Sequence, residues 1–248
     1  MSSSIARSNA SEERKRLSYL SPWEYGQLLN PKSFVVKAKP FTLSYVVGRS
    51  LPLSLFMSLA PWRPVLSRAL HRNRSRVYSR YPQLATVRPN GRPANRTVVF
   101  REFLPETNQL IFITDCRSEK ISHLTENPAA ELCWYFTQTR EQFRLGGQIQ
   151  IVIASTPNES LRQVHQHTWE ALSAKARQQF AWPHPGKPRA TKGFEETILD
   201  PQHPLNTFAV LIFDPDTIDH LELKGEPQNR HYYQRQADGA WEVTEVNP

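Results

Sequence analysis

The chain has 248 residues, of which 39% are apolar, and it carries 31 lysines and arginines against 23 aspartates and glutamates. This length accommodates one sizeable domain with an appendage. The formal net charge of +8 is concentrated in residues 1–60, where eight basic and three acidic residues contribute +5 and leave +3 for the remainder. A nearly balanced main part without a Lys/Arg-rich recognition helix argues against nucleic acid as a partner.

Residues 1–56 differ in composition from the rest of the chain. They begin with a Ser-rich, charged segment that lacks the apolar core of a secretory signal. The longest unbroken apolar run, at 51–60, is too short to cross a bilayer, so no membrane partner is expected. We interpret 1–56 as an N-terminal extension, either disordered or upstream of a natural start at Met57, and 57–248 as the folded domain. We expect a cytoplasmic protein, with organellar import through the extension as the alternative.

Hydrophobic periodicity and turn residues predict an ordered series of elements after Pro64. Helices are predicted at about 64–71, 118–125 and 159–180. Strands are predicted at about 83–88, 94–104, 110–114, 129–137, 142–154, 207–213, 218–223, 231–235 and 241–246. Many short strands separated by turn signals favour an antiparallel barrel or sandwich over a parallel sheet. Gly146 and Gly147, inside one predicted strand, indicate a β-bulge or a close backbone approach.

Several common site types find little support in the sequence. No GxGxxG motif follows a strand, and no GxSxG elbow is present. His165 and His167 are two residues apart on a predicted helix and therefore point to different sides, so no metal site is expected. Cys116 and Cys133 lack a CxxC pattern and fit reduced, buried thiols.

Cations and hydroxyls recur where predicted strands begin or end, which is a way to hold a phosphate without a glycine-rich loop. The helix that starts at Ser118 offers free backbone N–H groups and the positive end of a dipole, which together attract anions. The candidate residues of this anion site and its surroundings are Arg96, Arg101, Thr114, Arg117, Ser118 and Lys120.

The two arginines also have a simpler interpretation. Arg96 and Arg101 are five residues apart and face opposite sides of a regular strand, unless the strand twists or bulges. Arg96 is then an exposed hairpin residue, and Arg101 is a cross-strand partner of Glu102 or Glu106. The joint order of the other candidate ligands favours the phosphate site.

The order and spacing of these residues resemble the pyridoxamine 5'-phosphate oxidase family over about residues 61–248. In that family an arginine opens a strand and a lysine follows five residues on, where this chain has Arg96 and Arg101. A Ser-Arg-Lys turn of the family is similar to Ser118-Glu119-Lys120, and Arg117 is placed to substitute for the missing middle arginine.

Further motifs support the same resemblance. The family's aromatic-Thr pair is similar to Ile113-Thr114, although the aromatic residue is lost. Its Glu-Arg-Gln strand start is similar to Arg140-Glu-Gln142, and its Asp-Arg-Phe-x-Tyr-Gln-Arg motif is similar to Asn-Arg-His-Tyr-Tyr-Gln-Arg at 229–235.

The resemblance implies a mainly β, α+β fold: an antiparallel split β-barrel that binds FMN in the groove of a homodimer. It implies that Arg96, Arg117, Ser118 and Lys120 hold the FMN phosphate, with Arg101 near the flavin or the substrate. Thr114 and Gln142 are implied to hydrogen-bond the isoalloxazine edge, and Arg230 to complete the pocket. No catalytic residue is assigned.

One departure bears on function. The family carries an Arg-x-His pair that contacts the vitamin substrate, whereas this chain has Gly-Glu-Pro-Gln-Asn at 225–229. The tyrosine, arginine and serine that hold the substrate phosphate also lack clear counterparts. Three functions therefore stay open: an FMN oxidase of a small molecule such as a B6 vitamer phosphate, an FMN reductase of another substrate, and a non-catalytic flavin-binding protein.

Overall fold

The computed structural model describes residues 59–248. The predictions made for 1–56 and for Met57 as the start lie outside the described residues. No helix in the described part is long and apolar enough to cross a membrane.

The described chain consists mostly of antiparallel strands with a few short helices. The helices are α1 (Trp62–Arg72), α2 (Glu119–Glu126), α3 (Glu159–Glu170) and α4 (Ala174–Gln178), with a 3-10 turn at Val77–Arg80. The strands are β1 (Gln83–Val87), β2 (Pro93–Thr97), β3 (Glu102–Phe103), β4 (Leu110–Asp115), β5 (Ala129–Phe136), β6 (Glu141–Val152), β7 (Phe208–Glu222), β8 (Asn229–Arg235) and β9 (Trp241–Glu245).

The sheet divides at β7. Its strand order is β2-β1-β5-β6-β7-β4-β3, and β8 and β9 leave this path at β7. On one edge β7 pairs with β6 along most of its length. On the other edge the first part of β7 pairs with β4, and the last part pairs with β8. A single strand of 15 residues thus connects two branches of one sheet.

The structure joins two predicted strands into β7, because Pro215 does not interrupt the pairing. Gly146 lies opposite Thr217 and Gly147 opposite Pro215, so Asp216 has no partner and forms a bulge. A Cβ atom on Gly147 would lie 2.3 Å from the carbonyl oxygen of Asp214. The predicted bulge and close backbone approach at the glycine pair are therefore confirmed.

The predicted strand at 94–104 is wrong in its middle. Strand β2 ends at Thr97, and β3 comprises two residues. Between them the Val98 and Phe100 amides donate to the carbonyls of Pro82 and Arg80, at 3.0 and 2.8 Å. These bonds draw the segment 98–101 out of the regular ladder.

The predicted helix at 159–180 is two helices. Helix α3 ends at Glu170, and the Ser173 hydroxyl accepts a hydrogen bond from the Ala176 amide at 3.2 Å and caps α4. Serine at such a position favours a new helix start over continuation. The apolar periodicity continues through the break, and for that reason it predicted one helix.

Two hydrophobic cores flank the sheet. The larger packs one side of α1 against the inward faces of the strands and includes Trp62 of α1, Trp134 and Phe143. In the smaller core Trp169 and Phe180 pack edge-on or tilted against Phe208 of β7, with ring centroids 5.1 and 5.0 Å away. This second core anchors the start of the loop that follows α4.

Candidate functional site

A cavity of about 530 Å³ opens between the end of β2 with the irregular segment 98–101, the end of β4, the start of α2 and the loop after α4. Three cations of the barrel face it, together with residues of α4 and of the loop. Its lining is Arg96, Thr97, Val98, Val99, Arg101, Ile113, Thr114, Asp115, Lys120, Ala176, Gln179, Phe180, Trp182, Pro183, His184, Pro185, Lys187, Pro188, Arg189, Ala190 and Phe194.

The break in the strand brings Arg96 and Arg101 to the same cavity. On a regular strand, residues five apart would face opposite sides. Within residues 59–248, Arg101 forms no ion pair with Glu102 or Glu106, the partners of the simpler interpretation. Its Nε is buried and has no hydrogen-bond partner in that part of the chain. Burial lowers the pKa of Arg101, and the nearby Arg80 lowers it further.

Lys120 is the most perturbed cation of the cavity. Its Nζ donates to the Thr114 hydroxyl at 2.8 Å and to the Ser118 hydroxyl at 2.6 Å. Burial, and then the positive charge of Arg96, lower the pKa of Lys120 to about 8. A partly buried ammonium held by two hydroxyls, beside another cation, is an arrangement that an anion would stabilise.

Ser118 takes the predicted N-cap position of α2 but does not cap it with its side chain. The hydroxyl accepts from Lys120 instead. The first N–H groups of an α-helix lack intrahelical acceptors and carry the positive end of its dipole. The Ile121 amide donates to the Ser118 carbonyl. Because no side chain caps the helix, the Glu119 and Lys120 amides stay available to an anion beside Lys120.

Two buried polar residues, Thr86 and His123, hold the Arg96 side chain in position through a chain of hydrogen bonds. Its Nη1 donates to the Thr86 hydroxyl at 2.7 Å. That hydroxyl lies 3.1 Å from Nδ1 of His123, which is 2% exposed, and Nε2 of His123 lies 3.2 Å from a Glu119 carboxylate oxygen. Since Thr86 accepts from Arg96, we assign its proton to the bond with Nδ1. Sequence reasoning missed Thr86 and His123, because neither belongs to a motif.

Arg117 is held outside the cavity lining. Its guanidinium donates to both carboxylate oxygens of Asp115, at 2.9 and 2.6 Å, and to the Trp182 carbonyl at 2.9 Å. The hydrogen bonds that Arg117 donates to the Asp115 carboxylate raise the pKa of Arg117. Arg117 thus ties the loop to the end of β4, and its predicted phosphate contact stays a prediction.

Gln142 and Arg230 lie elsewhere on the sheet. Both are opposite Leu221 of β7 and share one face with it. Arg230 donates to both carboxylate oxygens of Asp219, at 2.9 and 2.8 Å, and this pairing lowers the pKa of Asp219. Neither residue lines the cavity. Within a single chain, Gln142 and Arg230 are therefore not part of the site that contains Arg96 and Lys120.

The residues present fit a phosphate ester. Arg96, Arg101 and Lys120 provide three cations, and the only carboxylate among the lining residues, Asp115, is already paired with Arg117. A singly esterified phosphate carries close to two negative charges at neutral pH. The buried, unpartnered Nε of Arg101 and the uncapped start of α2 add donors.

A divided antiparallel sheet with a cationic cavity at its strand ends defines a β-barrel protein that binds a phosphorylated ligand. Residues 59–153 match the family model described as pyridoxamine 5'-phosphate oxidase, FMN-binding domain. The chain belongs to this FMN-binding family, and FMN is its cofactor. Its fold is the split barrel of the family, as predicted.

Individual relatives agree with this assignment. The chain is 37% identical to pyridoxine/pyridoxamine 5'-phosphate oxidase 2 of Arabidopsis thaliana over 196 residues, which is 77% of this chain and 98% of the relative. The crystal structure of a pyridoxamine 5'-phosphate oxidase-related, FMN binding protein from Nostoc punctiforme matches with 52% identity and a TM-score of 0.75, over 77% of this chain and all of that one. PhzG from Burkholderia lata, at 20% identity and a TM-score of 0.60 over 76% of this chain and 94% of that one, shows the shared fold alone.

Proposed function

We propose that the protein is an FMN-dependent oxidase of pyridoxamine or pyridoxine 5'-phosphate. The observation that carries this proposal is the barrel cation cluster of Arg96, Arg101 and Lys120, which lines a cavity of about 530 Å³. The similarity to an oxidase of these vitamers over nearly its whole length supports the choice of substrate.

Bound FMN supplies the hydride acceptor, and the protein supplies binding and orientation. Arg96 and Lys120 hold the phosphate, while Thr114 positions Lys120 through its hydroxyl. The segment 97–99 and the loop after α4 line the cavity. In the net reaction the substrate loses a hydride from C4' and a proton, and oxygen takes up the two electrons and two protons and leaves as hydrogen peroxide. With the amine substrate, water then hydrolyses the resulting imine and ammonia leaves.

We propose further that two copies of the chain complete each site. Gln142 and Arg230 are separated from the cavity of their own chain, and they lie on an outward face of the sheet. Tyr135, opposite Gln142, is 45% exposed, and Tyr232 on β8 is 37% exposed. A homodimer that covers this face would place Gln142 and Arg230 of one copy beside the cations of the other.

The first test is the visible spectrum of the purified protein, with mass spectrometry of what heat releases. A yellow protein that releases FMN is expected, and the double variant Arg96→Ala/Lys120→Ala should be colourless while its circular dichroism is unchanged. Lys175→Ala, at an exposed position outside the cavity lining, is the matched control and should stay yellow. A double variant that keeps wild-type affinity for FMN would refute the phosphate assignment.

Turnover then decides between oxidase and reductase. The absence of the Arg-x-His pair at 225–229 is the observation that favours an FMN reductase of another substrate. Peroxide release with pyridoxamine 5'-phosphate supports the oxidase. Bleaching of the flavin by NADPH, without turnover of that substrate, supports the reductase instead.

A further inference from the structure

The loop after α4 brings a second group of cations to the cavity. Lys187 and Arg189 line it together with the barrel cluster, and within residues 59–248 neither forms an ion pair. Both side chains belong to exposed residues. Three barrel cations already exceed the charge of one phosphate ester, so the loop cations are not needed to neutralise FMN.

The same loop also presents aromatic surface to the cavity. Trp182 and Phe194 line it while remaining 37% and 38% exposed. Their ring centroids are 6.0 Å apart at an interplanar angle of 61°. The Arg189 guanidinium lies 4.8 Å from the centroid of the Phe194 ring. Exposed rings beside unpaired cations suit a planar ligand that carries a negative charge.

The loop is held in place rather than merely lying near the cavity. Arg117 donates to the carbonyl of Trp182, and the Thr207 hydroxyl donates to the carbonyl of Phe180, where the loop begins, at 2.6 Å. Three prolines among residues 182–189 restrict the backbone further. A restrained loop loses little conformational entropy when it binds a ligand.

We propose that Lys187 and Arg189, with Trp182 and Phe194, form the subsite for the anionic group of the second reactant, a planar aromatic ring bearing a phosphate or a carboxylate. This inference deepens the proposed function and rests on it for the position of FMN. It gives the chain its own means of holding a substrate anion, since the family's substrate ligands lack clear counterparts here.

The test uses the FMN-loaded protein and ligand titrations followed by the absorption and fluorescence of the bound flavin. The probes are pyridoxal 5'-phosphate, 4-pyridoxate and neutral pyridoxal, which separate a phosphate, a carboxylate and an uncharged ring. We expect the wild type to bind at least one anionic probe tenfold or more tightly than pyridoxal. Lys187→Ala/Arg189→Ala should weaken that probe roughly 10- to 100-fold, as expected for the loss of charged hydrogen bonds, and leave pyridoxal unaffected.

Lys192→Ala is the matched control, because Lys192 is an exposed cation of the same loop outside the cavity lining, and it should change nothing. FMN affinity of the double variant should stay within about threefold of the wild type. A wild type without preference for the anionic probes, a double variant that keeps the preference, or a double variant that loses FMN would each overturn the inference. Anion preference without turnover of a B6 phosphate would refute the oxidase alone and leave the subsite standing.

Discussion

At the scale of single residues, the site depends on where charge is buried. The sequence was sufficient to predict Arg96, Thr114, Ser118 and Lys120 as neighbours, because their order follows a family pattern. It was not sufficient to orient Arg117, whose guanidinium pairs with Asp115 two residues away. Such a local ion pair competes with any distant ligand, and spacing alone does not report the outcome.

The lowered pKa of Lys120 leads to opposite pH trends for stability and for FMN binding. The unfolded chain keeps this proton up to about 10.5, whereas the folded protein without FMN loses it near 8. The unfolded state therefore binds more protons between pH 8 and 10.5, and the stability of the FMN-free protein should rise there. Bound phosphate favours the charged lysine, so FMN affinity should fall over the same window.

Calorimetric titration of FMN into the FMN-free protein at pH 7 and at pH 9.5 measures this effect, and proton uptake should appear only at the higher pH. Lys120→Arg is the control, since arginine stays charged throughout and should flatten the dependence. Equal FMN affinity of the wild type at both pH values would contradict the role given to Lys120.

His123 is predicted to act on FMN only through Thr86 and Arg96. His123→Ala leaves the Thr86 hydroxyl without its acceptor, and FMN binding should weaken roughly tenfold. Binding of riboflavin, which lacks the phosphate, should not change. His123→Asn, whose side-chain oxygen can take the place of Nδ1, should recover part of the loss. An equal loss for riboflavin would point to a general structural role instead.

At the scale of elements, the sequence predicted where strands occur more accurately than where a strand continues or breaks. Separate strands were predicted at 207–213 and 218–223, but β7 continues through Pro215 and absorbs Asp216 in a bulge opposite the glycine pair. Conversely, one strand was predicted at 94–104, but in its middle the Val98 and Phe100 amides donate to the carbonyls of Pro82 and Arg80. Both outcomes depend on partners distant in sequence, which local patterns do not encode.

The bulge allows a matched pair of substitutions. Gly147→Ala places a Cβ atom 2.3 Å from backbone, which can yield only by moving β7, and we expect a loss of about 1–3 kcal/mol in the free energy of unfolding. At Gly146 the new atom would meet the Thr217 hydroxyl at 2.4 Å, and a side chain can rotate away. Urea denaturation should therefore show the larger loss in the free energy of unfolding for Gly147→Ala. The reverse order would mean that the β7 backbone yields more easily than the Thr217 side chain.

At the scale of the whole molecule, the proposed homodimer would bring Gln142 and Arg230 of one copy to the site of the other. If each site takes Lys120 from one chain and Arg230 from the other, two defective variants should complement each other. In a mixed dimer of Lys120→Ala with Arg230→Ala, one site carries both substitutions and the other carries neither.

Unfolding and refolding an equimolar mixture of the two variants should restore about a quarter of the wild-type flavin sites, because random pairing makes half of the dimers mixed. Each variant alone, treated in the same way, should restore almost none. A mixture that recovers no more than the two variants separately would rule out a shared site.

The division of the sheet at β7 also matters while the protein is being synthesised. Strand β7 begins at Phe208, and until it leaves the ribosome the edges of β4 and β6 that it covers have no partner. Unpaired edges on apolar strands are prone to association with other chains. A ribosome-bound chain ending at residue 207 should therefore be digested readily by protease and bind chaperones, whereas one released after residue 248 should resist digestion. Protection already present at residue 207 would contradict this order of events.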